Sequence, residues 1–198
     1  MDTLLFIIGL LANAFLLTML LLGQAKENFQ FWPPTKHNSW QYRSLWGTVR
    51  ILVVCIGLIS WFEWSSLDIP NWLRFYVALP ISVIAAMLGT TAFLQLGWRN
   101  THGEAAGFIE TGLYKYSRNP QYVFYSIAFI FLGILVASSK VIVLLVLVSF
   151  CYLSSPFPEE RWLAEQYGEK YLAYKRRVPR YLGLPLSLIH ISEPTRPY

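Results

Sequence analysis

The chain has 198 residues, 55% of them hydrophobic and only 14% charged, with eight tryptophans and a net charge of +5. That balance excludes an ordinary soluble domain of this size and reads as an integral membrane protein. The positive charge calls for no nucleic-acid partner, because it gathers in alternate connections as a topology signal, where anionic lipid can reinforce it.

Five segments, roughly 3–22, 47–64, 72–97, 121–138 and 141–155, approach the roughly twenty apolar residues that a span requires, the last being short. The first is read as a retained span rather than a signal peptide. Asp2 stands where a basic region would be, and no small-x-small cleavage site precedes Gln24-Ala25-Lys26. The polar, aromatic-rich stretch 24–45, with Pro33-Pro34, is a loop or short interfacial piece. Pro80 predicts a kink in the third span; Val77, Pro80, Ile84 and Leu88 share one stripe there, so the kink shapes packing. The longest polar stretch between spans is 98–120, loosened by Gly103, Gly107 and Gly112. Ala137-Ser138-Ser139-Lys140 closes the last two spans into an antiparallel hairpin. A helix is expected from about Pro158, with Glu159 and Glu160 in its first turn, where proline is tolerated and carboxylates suit the helix dipole. It bends at Gly168 and ends at Pro179. Cys55 and Cys151 fall inside spans as buried free thiols and support neither a disulfide nor a metal framework.

Charge sets the orientation. Lys26, Lys36, Arg43 and Arg50 lie in or beside the first connection, Arg99, Lys115 and Arg118 in the third, and Arg161, Lys170, Lys175, Arg176, Arg177 and Arg180 after the fifth span. The second and fourth connections offer only Arg74 and Lys140. The positive-inside rule then places the amino terminus outside and the carboxyl end in the cytoplasm, in a bacterial-type inner membrane or an endomembrane. Trp46, Trp61, Trp64, Trp72 and Trp98 at span ends suit the interface. The expected fold is an all-α membrane bundle of about five transmembrane helices with a cytoplasmic, amphipathic carboxyl-terminal helix. Residues 1–97 form a three-span region and 98–185 a second unit. The stretch 186–198 resembles a translated sequencing-library adapter and is set aside; the natural carboxyl terminus is expected beyond Gly183.

Two polar motifs flank the hairpin. Arg118-Asn119-Pro120-Gln121-Tyr122 follows Thr111-Gly112-Leu113-Tyr114-Lys115-Tyr116; Pro158-Glu159-Glu160-Arg161-Trp162-Leu163 precedes Tyr167-Gly168-Glu169-Lys170-Tyr171 and Tyr174. The intervening 123–157 carries Lys140 as its only charge, so two crossings return both motifs to one face. Each also has a plain reading. Glu159-Glu160 marks a helix start, Lys115 and Arg118 are juxtamembrane anchors, Arg176-Arg177 is topological and His102 is a solvated loop histidine. His37 carries no functional expectation, and His190 lies in the foreign tail.

From about Gly97 to Leu182 the chain resembles the isoprenylcysteine carboxyl methyltransferase and phospholipid methyltransferase superfamily of membrane enzymes. The resemblance rests on Gly112, Tyr114, Arg118, Asn119, Pro120 and Tyr122, then Glu159, Glu160 and Leu163, then Tyr167, Gly168, Tyr171 and Tyr174. It implies S-adenosylmethionine as methyl donor, bound at the cytoplasmic face, and no metal. The donor-binding candidates are Tyr116, Arg118, Asn119, Tyr122, Glu159, Glu160 and His102; the catalytic candidates are Glu160 and Arg177, the latter orienting a substrate carboxylate. A sulfonium with an attached ammonium suits carboxylates and aromatic faces, and the donor's carboxylate suits Arg118 and Asn119. Two departures stand out. Asn119 replaces the histidine of the isoprenylcysteine enzymes and cannot act as a general base. The Gly-x-Gly signature of phosphatidylethanolamine methyltransferases is absent, which weighs against a phospholipid acceptor.

The expected activity is methyl transfer to a carboxylate, thiol or amine on a prenylated or lipid-like substrate drawn from the membrane. A carboxylate acceptor needs no deprotonation near neutrality. The alternatives are a nicotinamide-dependent reductase of the sterol-reductase type, suggested by Ser117-Arg118-Asn119-Pro120-Gln121-Tyr122, and a non-catalytic protein on the same scaffold.

Overall fold

The computed structural model describes residues 1–183 except Glu27, Thr35 and His37. His37, His190 and the tail 186–198 therefore lie outside the described residues, which form helices and no strand. Five apolar helices carry the fold: α1 (Asp2–Ala25), α2 (Trp40–Phe62), α3 (Leu73–Leu96), α5 (Pro120–Val136) and α6 (Ser139–Ser154). The short α4 (Trp98–Thr101) follows α3, while α7 (Pro156–Tyr167) and α8 (Glu169–Arg177) follow α6. The runs Asp2–Ala25, Trp40–Phe62, Leu73–Leu96 and Ser139–Tyr167 are long and apolar enough to cross a membrane. At 17 residues α5 is shorter, yet it still rises about 26 Å. It lies between α3 and α6, while α1 lies between α2 and α6.

The boundaries differ from expectation in three places. Helix α2 begins at Trp40, seven residues before the expected 47, because Ser39 caps it by accepting a hydrogen bond from the Tyr42 amide. In place of a simple kink at Pro80, α3 opens with a π-helical turn over Leu73–Ala78. Proline has no N–H for the ordinary i−4 bond, and the wider turn adjoins that gap. The short fifth span runs on into α7 through Ser155, with Pro156 at its first turn.

Packing of α3 follows residue size. Its buried positions are Arg74, Ala78, Ser82, Ala85, Gly89 and Ala92, the last five at alternating spacings of four and three, and not the 77–80–84–88 stripe. Bulky Ile84 faces outward. Acyl chains solvate a large apolar side chain as well as protein does, so the protein contact goes to small residues that let backbones approach. The Ser82 hydroxyl crosses to the Ala128 carbonyl at 3.1 Å.

The two ends of the bundle are tied differently. At the end where α1 begins, Lys140 bridges Asp2 and Glu63, and the Ser138 hydroxyl donates to Glu63 at 2.7 Å. Ala137, in the left-handed region, closes the α5–α6 hairpin there. At the opposite end, α7 and α8 fold over the bundle across Gly168, whose φ of 53° and ψ of −134° suit glycine alone. Tyr171 and Tyr174 of the last helix and Val178 just after it bury themselves in a cluster with Phe108.

Candidate active site

The segment before α5 is held from both sides. Tyr174 donates its hydroxyl to the Tyr114 carbonyl at 2.7 Å. The Arg118 amide donates to the Pro179 carbonyl at 2.9 Å, and the Asn119 side chain donates to the Arg180 carbonyl at 3.0 Å. Asn119 stands at the start of α5 with Pro120 in its first turn, and one turn on, α5 presents Tyr122.

Because α7 begins at Pro156 and not at Pro158, Glu159 lies in its first turn and Glu160 just beyond it. Successive helical residues point about 100° apart, and the pair separates accordingly. Glu159 lines a cavity at this end of the bundle, where its Oε2 accepts from the Tyr122 hydroxyl at 2.7 Å and from the Trp32 indole at 3.2 Å. The same indole donates to the Tyr122 oxygen at 3.0 Å. Glu160 turns away and is only 4% exposed. Arg180 grips it through two nitrogens at 2.8 and 3.0 Å, Arg118 Nη1 lies 3.0 Å from it, and Lys175 lies 3.5 Å away. Three cations around one carboxylate leave the cluster positive.

The cavity runs from Leu16, Leu20 and Cys151 in the bundle to Tyr114, Tyr171 and Tyr174 beneath α8. Burial pushes the Tyr171 and Tyr174 phenols well above their ordinary range, with Glu160 adding to Tyr171 and Tyr171 to Tyr174. Both therefore remain neutral hydroxyls near neutral pH. The cavity wall combines a carboxylate with several buried hydrogen-bond donors. Arg118 Nε, Thr101 Oγ1 and Trp46 Nε1 are buried without hydrogen-bond geometry to any described residue, while Arg118 Nη1 has its ion pair with Glu160 and the Tyr171 hydroxyl lies against Arg118. All four residues line the cavity. Unsatisfied buried donors are costly, and a bound ligand rich in oxygen would relieve them.

The eight sequence candidates divide evenly. Arg118, Asn119, Tyr122 and Glu159 line the cavity. Glu160 backs Arg118 from outside the lining. Tyr116 is 47% exposed and points elsewhere. The Arg177 side chain, largely exposed, pairs with Glu110 at 3.0 Å. His102 is buried between the rings of Trp98 and Trp46, at centroid distances of 4.0 and 4.6 Å, and its Nδ1 donates to the Trp98 carbonyl at 2.7 Å. It is therefore a packed histidine and not a solvated one. The sequence reading missed Trp32, Trp46 and Thr101, since each comes from a stretch read as loop or interfacial anchor. The Pro33-Pro34 pair was the one local sign that the first connection is fixed.

Residues 73–170 match the family of phospholipid methyltransferases. No curated protein and no solved structure matches the chain. The match holds despite the missing Gly-x-Gly signature, and it begins with α3 and ends inside α8.

Proposed function

The chain belongs to the superfamily of integral membrane methyltransferases that includes the phospholipid methyltransferases, and from that premise we propose that it transfers a methyl group from S-adenosylmethionine to a lipophilic acceptor. The observation that carries this reading is one cavity wall holding both a carboxylate with a free oxygen, Glu159, and a buried guanidinium whose Nε has no hydrogen-bond partner, Arg118. S-adenosylmethionine supplies an electrophilic methyl group on a sulfonium and carries an ammonium and a carboxylate of its own. Glu159 and the faces of Tyr122 and Trp32 suit the cationic part. Arg118, with the Tyr171 hydroxyl beside it, suits the carboxylate.

Glu160 then serves as a positioning residue. It neutralises part of the charge on Arg118 and fixes the guanidinium plane, while Arg180 and Lys175 hold Glu160 itself. Methyl transfer is an in-line displacement, so alignment and exclusion of water are what the residues contribute. Among the cavity side chains, Asn119 offers no proton exchange near neutrality. A carboxylate acceptor needs none, and an amine acceptor must arrive unprotonated or lose its proton to the Glu159 carboxylate.

The acceptor's apolar tail has a route. Leu45 and Val49 of α2 and Leu96 of α3 line the cavity, while α2 rests on α1 and α6, and α3 rests on α5. We infer entry from the bilayer between α2 and α3, with the site on the cytoplasmic side as the basic connections imply. The deciding experiment incubates purified protein and labelled donor with a lipid extract and identifies methylated products by mass spectrometry. A labelled lipid that disappears in Glu159→Gln supports the reading; wild-type protein that neither binds the donor saturably nor labels any lipid overturns it.

A further inference from the structure

We propose that Trp32, on the connection between α1 and α2, is a positioning residue of the donor site: its indole N–H pins one oxygen of Glu159 so that the other oxygen is offered to the ligand. This rests on the methyl-donor reading above and extends it to a part of the chain outside the family match, since Trp32 precedes residue 73 while Tyr122 and Glu159 fall within 73–170.

The hydrogen bonds are asymmetric. Oε2 of Glu159 accepts from both Trp32 and Tyr122. Oε1 takes no hydrogen bond from any described residue, yet it is not a buried orphan either, so it is the oxygen open to the cavity that Glu159 lines. The single indole hydrogen is shared between Glu159 Oε2 at 3.2 Å and the Tyr122 oxygen at 3.0 Å, so Trp32 ties the carboxylate and the phenol to each other. With two fixed donors on the same oxygen, the carboxylate loses the freedom to rotate and is held ready for a cationic or hydroxyl-bearing ligand.

The connection can do this because it is anchored along its length. Phe31 is fully buried and meets Phe15 of α1 edge-on at 6.1 Å and Trp40 of α2 at 6.2 Å. The Gln30 side chain donates to the Pro33 carbonyl at 2.7 Å, and Gln41 of α2 donates to the Gln30 carbonyl at 3.4 Å. Trp32 itself is 7% exposed. The segment is thus braced by α1 and α2, which is what a positioning group requires.

The test uses the full-length protein labelled with fluorotryptophan, the Trp32 resonance being the one lost in Trp32→Phe. Without donor, that resonance is expected to shift as Glu159 titrates, and the shift to vanish in Glu159→Gln. In donor titrations, Trp32→Phe, which keeps a ring and loses the N–H, is expected to weaken binding about tenfold. On the Glu159→Gln background it is expected to add no further loss. A Trp32 resonance indifferent to Glu159, a Trp32→Phe protein that binds donor like the wild type, or an equal loss on both backgrounds would each overturn the proposal. Wild-type protein that binds no donor, with the resonance still following Glu159, would overturn the methyl-donor reading and leave the Trp32–Glu159 coupling standing.

Discussion

Glu159 and Glu160 share a peptide bond and differ in every contact. The first keeps an oxygen open to the cavity; the second is enclosed by Arg118, Lys175 and Arg180. Substitutions should separate them. Glu159→Gln preserves shape and is expected to lower donor affinity tenfold or more, a charge-assisted hydrogen bond contributing about that much, with little change in thermal unfolding. Glu160→Ala strands a buried guanidinium and should destabilise the fold by about 3–5 kcal/mol, read by thermal unfolding in detergent. If Glu160→Ala unfolds like the wild type, the cation cluster is not the brace described. The sequence made both glutamates candidates, because their spacing after the hairpin is all it displays. Which acid faces the ligand depends on the rotation of α7 about its axis, set by the proline-bearing turn after Ser155.

At the scale of elements, all five apolar helices were legible from hydropathy, since a bilayer demands one continuous apolar run per crossing. Their packing faces were not. In water the buried face is the apolar one, but in lipid every face of α3 is apolar, and only residue size marks the small stripe from Ala78 to Ala92. The opening π-turn was equally hidden, because Pro80 announces a disturbance without saying which kind. Gly168 was legible as an interruption, and its backbone makes a prediction. An alanine there is strained in the conformation that joins α7 to α8, at a cost of about 1–3 kcal/mol. Gly168→Ala should therefore loosen α8 first, seen as faster hydrogen exchange at Tyr171 and Tyr174. Exchange unchanged at those amides would show that the turn tolerates a side chain.

At the scale of the whole molecule, the sequence brought the two motifs to one face by counting crossings, and the 2.7 Å contact between Tyr122 and Glu159 meets that requirement. Its reach ended at the first connection, where a polar, proline-bearing stretch gave no sign that Trp32 closes the cavity. Orientation in the bilayer rests on the charge pattern alone and is ours to propose. Cysteines introduced at Ser39 and Ser66 should label from opposite sides, Ser39 from the cytoplasm and Ser66 from outside, and the reverse pattern would invert the topology. Lateral access has its own test. Val49→Trp narrows the cavity wall on α2, so it should raise KM for the lipid acceptor and leave donor affinity unchanged. A variant that loses donor binding instead would place the nucleotide, and not the lipid tail, against α2.

The carbonyls of Pro179 and Arg180 hold the Arg118 amide and the Asn119 side chain, and Arg180 clasps Glu160. All the helices can therefore be threaded into the bilayer while the cavity still lacks its last fastening. A nascent chain emerging from the ribosome would remain inert until residues 178–183 clear the exit tunnel. Premature termination just after Arg177 should yield a well-inserted protein unable to bind the methyl donor proposed for the cavity.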